Sequence, residues 1–225
     1  PYNGDADGLI QVDANGIPLS SALAWDAGEQ LSTKSPGSRS IYTLVSGTRR
    51  DFTNTYVTAA LLGAADNTER DKIIDFTRGI DRYNEDGDSN TNEDRPWKLG
   101  DIFHSTPVLV RAPFAVSSDP SYTAFKTAYA SRTAVLLAGS NDGMLHAFRE
   151  SDGAELWGFI PPDQLDDLKD LTATSAQHDF LVDGSPIAAD VKIGATPAWK
   201  TIVIVGLRRG GKTYYALDVT DTTNP

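Results

Sequence analysis

The chain has 225 residues, 40% of them hydrophobic, enough to bury one large core or two small ones. Lys and Arg number 20 against 31 Asp and Glu, and the resulting net charge of −11 repels phosphate backbones and anionic lipid, which argues against nucleic acid as a partner. There is no cysteine, which excludes disulfides and thiolate metal sites and is compatible with export, and no apolar run approaches the length of a membrane span.

Pro1-Tyr2-Asn3-Gly4 is no signal peptide, so either a leader has been removed or the chain begins inside a longer protein. Asn3, Asp5 and Asp7 precede Gly8, with Ile10 and then Asp13. That alternation resembles the front half of a calcium loop, with glycine at position six and an aliphatic residue at position eight. Ala14 stands where the bidentate carboxylate belongs, so Asp13 would have to replace it, and a solvated acidic turn is the alternative.

Ser20 to Leu31 and Asn67 to Phe76 have helical character, the second with Ile73, Ile74 and Phe76 on one side and Gly79 as its stop. Between them, Ile41 to Thr55 is β-branched and reads as one or two strands. Residues 82–94 are almost wholly polar and mark a boundary between a mixed α/β segment, 1–97, and a second region, 98–225. Within that acidic stretch Asn84, Asp86, Asp88, Asn90, Asn92 and Asp94 alternate around Gly87, making Asp86, Asp88 and Asn90 a second set of candidate calcium ligands. The first position of such a loop would fall on Arg82, so a flexible polar linker is the preferred reading.

From Leu99 onward the pattern is β. Ala134 to Gly139, Met144 to Arg149 and Glu155 to Ile160 are short apolar strands separated by Asn141-Asp142-Gly143 and Ser151-Asp152-Gly153, and Asp-Gly supplies the positive-φ residues of tight hairpins. With Val108 to Val110 leading, they form one four-stranded propeller blade spanning 104–160. The pattern returns once, as Ser185 to Val191, Thr201 to Leu207 and Lys212 to Val219, a partial blade over 183–219. Gly139 aligns with Gly206, and His146 with Tyr215, so the second turn is longer by two residues. Helical insertions are expected where Tyr122, Phe125 and Tyr129, and again Leu165, Leu168 and Leu171 after Pro162, fall on one helix face. The fold class is mainly β: a partial propeller with one complete and one incomplete blade, helical insertions and a mixed α/β start.

Gly206 to Thr213 satisfies the phosphate-loop pattern GxxxxGK[ST], but the run from Thr213 to Val219, TYYALDV, is a strand rather than the helix whose amides would hold a phosphate. The match is therefore read as a long hairpin turn, with nucleotide hydrolysis as a minor alternative. His104, His146 and His178 lack metal-motif spacing and are read as structural, His146 as a hydrogen-bonded packing residue; Trp157 is read as blade packing.

The blade resembles a quinoprotein-type repeat, AxDxxTGxxxW, through Ala147, Gly153 and Trp157, but Arg149 and Asp152 stand where Asp and Thr are expected. LGDIFHSTPVLV, SNDGMLHAF, ELWGFIP, VDGSP and YALDVTD, in that order from Leu99 to Asp221, resemble the C-terminal propeller of the PilC/PilY family of type IV pilus tip proteins. SIYTLVSGTRRDF and IIDFTRGID resemble the region just upstream. That resemblance implies a non-enzymatic pilus biogenesis factor at the pilus tip or outer-membrane surface of a Gram-negative bacterium, acting in pilus assembly, surface attachment and calcium-regulated extension. Implied partners are pilus subunits (minor pilins) or the rest of a longer parent chain, and calcium is the implied cofactor. The family's propeller calcium loop has no residue-by-residue counterpart between Leu99 and Asp221, and the variable adhesive region has none in this chain. A quinone-dependent (PQQ) dehydrogenase is the enzymatic alternative. A further expectation is an open edge on the strand 212–219, to be completed by another strand.

Overall fold

Local chemistry places the secondary structure of the computed structural model, which describes residues 12–15, 17, 19, 24–173 and 178–225. Helix α1 (Ala27–Ser32) starts where the Asp26 carboxylate accepts the Glu29 amide at 3.0 Å and buries Leu31; residues 20–23 of the expected helix lie outside the described residues. Strands β1 (Ile41–Val45) and β2 (Thr48–Asp51) form a hairpin whose two turn residues, Ser46 and Gly47, both have positive φ, 51° and 74°. Helix α2 (Asn67–Arg78) is capped by Asp66 and buries Ile73, Ile74 and Phe76. Gly79 ends it at φ 115°, a conformation that favours glycine.

The expected blade is present. Strand β3 (Val108–Val110) pairs with β4 (Val135–Gly139), β4 with β5 (Leu145–Arg149) and β5 with β6 (Glu155–Ile160), all antiparallel. Helix α3 (Pro120–Ala128) fills the β3–β4 connection and buries Tyr122 and Phe125. A second sheet has the order β7 (Ile187–Ile193), β8 (Ala198–Gly206), β9 (Tyr214–Asp218). Gly139 faces Leu145 and Gly206 faces Tyr214, so the repeat alignment and its two-residue insertion hold in the register.

β1 adds to the blade in parallel with β6 (Ile41 opposite Gly158, Thr43 opposite Ile160), giving a six-stranded order β2-β1-β6-β5-β4-β3. Ile41, Phe52, Val57, Leu62, Ile73 and Ile74 share one core with Met144, Ile160, Leu165, Leu168 and Leu181. Sheet and core therefore run continuously across the polar stretch 82–94. A second core, centred on Trp157, Leu137, Leu145, Val203, Val205 and Val219, joins the two sheets.

One expected helix is absent. After Pro162 the chain makes short 3-10 turns (Pro162–Gln164 and Asp170–Thr172), although Leu165 and Leu168 are buried as their spacing suggested. An α-helix there would stack Asp163 on Asp167 and Asp166 on Asp170, like charges four residues apart. Their effect is already visible, because burial first and then Asp166 and Asp170 push the Asp167 carboxyl up.

Just before β7, Gly184 lies against the end of β8, where a Cβ would come within 1.9 Å of the Gly206 carbonyl oxygen. Gly184→Ala is expected to cost about 1–3 kcal/mol in denaturant unfolding, because backbone rather than a flexible side chain must move. Unchanged stability would show that the segment before β7 does not pack against the end of β8.

Candidate functional site

Loop 79–95, which leaves α2 and returns toward the blade, gathers the acidic groups. Its ends are clamped: the Arg95 amide donates to the Gly79 carbonyl at 2.8 Å, and the Asp81 amide to the Glu93 carbonyl at 2.8 Å. The Arg82 guanidinium holds the loop to α2 through Asp75 at 2.7 Å, and Arg95 stacks on Phe76 while pairing with Glu85.

Clamping brings Asp81, Asp86 and Glu93 together, with one carboxylate oxygen from each lying within 4.8 Å of the others. Asp81 is fully buried, and both of its oxygens accept the Glu85 amide at 2.9 Å. Desolvation and the charges of Asp88 and Asp86 push the Glu93 carboxyl above its ordinary value, repulsion that a cation would relieve. The donor set is all oxygen, which fits a hard divalent cation such as calcium; the remaining ligands of a six- to eight-fold shell would come from carbonyls and water.

Of the residues singled out in the sequence, Asp86 is in this cluster. Asp88 and Asn90 lie outside that trio: Asp88 accepts the Asn90 amide at 2.7 Å, and Asn90 accepts the Asn92 amide at 3.2 Å while its side-chain amide donates to Glu93 at 2.9 Å. Asp81 and Glu93 were missed because an EF-type register starts at Arg82, whereas the structure uses the irregular spacing 81, 86 and 93. Asn3, Asp5 and Asp7 lie outside the described residues. Asp13 is exposed and accepts the amides of Asn15 and Ile17 at 2.8 and 2.9 Å, bonds that lower its pKa.

A second charged cluster is sealed inside the blade. Arg39 grips Glu155 with two bonds, Nε to Oε2 at 2.9 Å and Nη2 to Oε1 at 2.8 Å, and donates from Nη1 to the carbonyls of Thr77 and Arg78 at the end of α2. His146 lies between two acids, with Nδ1 2.9 Å from Glu155 and Nε2 3.0 Å from Asp142. Only an imidazolium donates to both. Burial alone would push His146 down, but Asp142 and Glu155 outweigh it and raise it to about 9. Burial likewise opposes the ionised Glu155, and Arg39 with His146 overcomes it, holding that carboxyl far below the usual range. His146 is thus the hydrogen-bonded packing residue expected.

The other motifs resolve structurally. His104 Nδ1 is bound by Asp183 at 2.7 Å and His178 Nε2 by Asp101 at 2.9 Å. In the phosphate-loop match, a single 3-10 turn (Arg208–Gly210) precedes strand β9, so no helix N-terminus stands at Lys212. Trp157 is fully buried and donates to the Thr222 carbonyl at 2.9 Å.

A family model described as the PilY1 beta-propeller domain matches residues 99–225, which takes in every strand from β3 to β9. The chain belongs to the PilY1 β-propeller family. A type IV pilus biogenesis factor PilY1 from Pseudomonas aeruginosa strain PAO1 is 42% identical over 170 residues, covering 71% of this chain and 14% of the relative. PilY1 from strain UCBPP-PA14 is 34% identical over 93% of this chain and 19% of its own length. A PilY1 homologue from Xylella fastidiosa is 34% identical over 79% of this chain and 15% of its own. The crystal structure of the P. aeruginosa PilY1 C-terminal domain aligns at 36% identity and a TM-score of 0.40, over 52% of this chain and 23% of that one. The chain thus spans less than a fifth of the length of these curated relatives, and the acidic loop lies just before the region that the PilY1 domain model matches.

Proposed function

We propose that this chain is the opening part of the propeller of a non-enzymatic type IV pilus biogenesis factor, working outside the cell at the pilus tip or outer-membrane surface of a Gram-negative bacterium. The observation that carries this is the match of residues 99–225 to the PilY1 propeller, together with relatives named as type IV pilus biogenesis factors. Among the described residues, no helix is long and apolar enough to cross a membrane. Deleting residues 99–225 from the parent gene is expected to abolish surface pili and twitching motility. Normal piliation in that strain would overturn the assignment.

Calcium regulation belongs to the same proposal, with Asp81, Asp86 and Glu93 as the carboxylate ligands. Asp81→Asn is expected to weaken calcium binding by about tenfold in a calorimetric titration, since one charge is lost from the buried end of the cluster. Equal affinity in the variant would move calcium away from this loop.

Partner contact is proposed at the edge of β9, which no strand among the described residues covers. The sheet face turned away from Val203 and Val205 exposes Ile187 at 71%, Ile204 at 49% and Tyr214 at 77%, apolar surface suited to a further blade. The much greater length of the relatives supports a strand from the parent chain as the occupant, with a pilus subunit as the alternative. Either would satisfy the open donors and acceptors of β9.

A further inference from the structure

Beside the acidic loop lies an open crevice of about 430 Å³ whose walls are apolar and charged; its two basic residues are already engaged, Arg95 by Glu85 and Lys98 by Asp94 and the Ser32 carbonyl. Phe76, Trp97 and Leu171 supply apolar surface, while Glu85, Asp86 and Asp101 supply carboxylates. Its dimensions suit an anchoring side chain or small ligand. Trp97 is 50% exposed, yet its position is fixed from behind: a Cβ on Gly28 of α1 would come within 2.0 Å of the indole Cζ2. One side of the ring is therefore held against helix backbone, and its exposed surface belongs to the crevice.

The crevice already accommodates one cation. The Arg95 guanidinium sits 3.9 Å from the Phe76 ring centroid and pairs with Glu85. That arrangement, a cation on an aromatic ring beside a carboxylate, is half repeated at Trp97 and Asp101. Asp101 is exposed and accepts from an amide and a histidine, Asn141 Nδ2 at 2.8 Å and His178 Nε2 at 2.9 Å, with no lysine or arginine against it among the described residues. Asp142, also in the wall, is matched by His146. Asp86 carries a single bond from the Asp88 amide. An acidic ligand would meet uncompensated carboxylates, and a purely apolar one would desolvate them without a partner. A cation satisfies both walls, and the net charge of −11 draws cations toward the chain.

We propose that this crevice is a docking site for a lysine or arginine side chain carried by an extended segment of a partner protein. The cationic head lies over the Trp97 indole and pairs with Asp101, and the aliphatic stem covers the apolar wall. A tryptophan anchored at a partly desolvated pocket is the residue type on which interfaces concentrate their binding energy. Docking here is independent of the pilus and calcium proposals, although Asp86 lies both in the crevice wall and in the cation cluster.

The test is a titration of the isotope-labelled chain, with and without calcium, using blocked Gly-Arg-Gly, Gly-Lys-Gly and Gly-Glu-Gly peptides and following the Trp97 indole N–H resonance. The expected result is a saturable shift with the arginine and lysine peptides, at dissociation constants of roughly 1–10 mM, and none with the glutamate peptide. Asp101→Asn, which keeps an oxygen for Asn141 and turns an N–H₂ toward His178 Nε2, an acceptor in the other neutral tautomer, is expected to weaken binding by about threefold or more while leaving the remaining amide spectrum in place. Trp97→Leu should abolish it, read from the backbone amides of residues 99–101. No saturable shift, equal binding of the glutamate peptide, or unchanged affinity in Asp101→Asn would each overturn the proposal. If Trp97→Leu fails to fold, the Asp101 variant decides alone. None of these outcomes touches the piliation or calcium experiments.

Discussion

Glu155→Gln is expected to lower the free energy of unfolding by about 3–5 kcal/mol, the range for breaking a buried ion pair from one side. Glu155, Arg39 and His146 are all fully buried at their side chains. Removing the carboxylate charge leaves an arginine and an imidazolium facing each other's former partner in a water-excluded site. The amide also points an N–H₂ donor at groups that are themselves donors. Denaturant unfolding with an unchanged slope is the measurement, and a loss under about 1 kcal/mol would show that the network is solvated or dispensable. Replacing Arg39, His146 and Glu155 together with apolar residues of similar volume, with Asp142→Asn to remove the carboxylate that His146 matches, should be less harmful than Glu155→Gln alone, because the buried charges leave together.

The same network fixes the sign of the pH dependence. His146 is raised to about 9, so the stability it contributes is fully present below the unfolded imidazole pKa near 6.5 and is lost as pH rises through about 9. Glu155 and Asp142 are lowered, so their contribution is present above the unfolded carboxyl value and is lost as the pH falls toward their depressed folded values. Stability is thus expected to be greatest between about pH 5 and 6.5 and to decline on both sides. The alkaline limb should vanish in His146→Gln, whereas persistence of that limb would assign it to another group.

Hairpins were legible in the sequence because the chemistry is local. Asp142-Gly143 and Asp152-Gly153 mark turns with positive φ at Gly143 and Gly153, and the flanking apolar residues can only be strands of the blade. Gly79 announced the end of α2 for the same reason. The features that escaped depend on contacts across the chain. Nothing near Ile41 states that β1 will lie parallel to β6, since a β-branched run fits any open edge. Arg39 and Glu155 are 116 residues apart, and neither side chain carries a spacing that names the other. In the acidic loop, regular alternation suggested ligands at Asp86, Asp88 and Asn90; the same spacing lets short polar side chains in turns bond the backbone two residues on, and all three do so. The leucines after Pro162 show a third limit. Burial at Leu165 and Leu168 followed from spacing, while the aspartates between them denied the helix.

Trp157→Ala is the other large expected effect, about 3–5 kcal/mol, and it tests the joint between the two sheets rather than one sheet's interior. The indole is fully buried in β6, in the core that also holds Val203 and Val205 of β8 and Val219 beyond β9. Its Nε1 donates to the Thr222 carbonyl, tying the first blade to the segment after the second. Alanine removes the ring, leaves a cavity between the sheets and deprives that carbonyl of its partner, so transfer, cavity and hydrogen-bond losses add. Trp157→Phe keeps most of the volume but not the donor, and should cost clearly less. Hydrogen exchange supplies the discriminating readout. If the tryptophan joins the blades, protection in β8 and β9 should fall along with that in β5 and β6, although Trp157 belongs to neither β8 nor β9. Loss confined to β5 and β6 would mean that the second sheet is stabilised independently, and that Trp157 packs its own blade without binding the next.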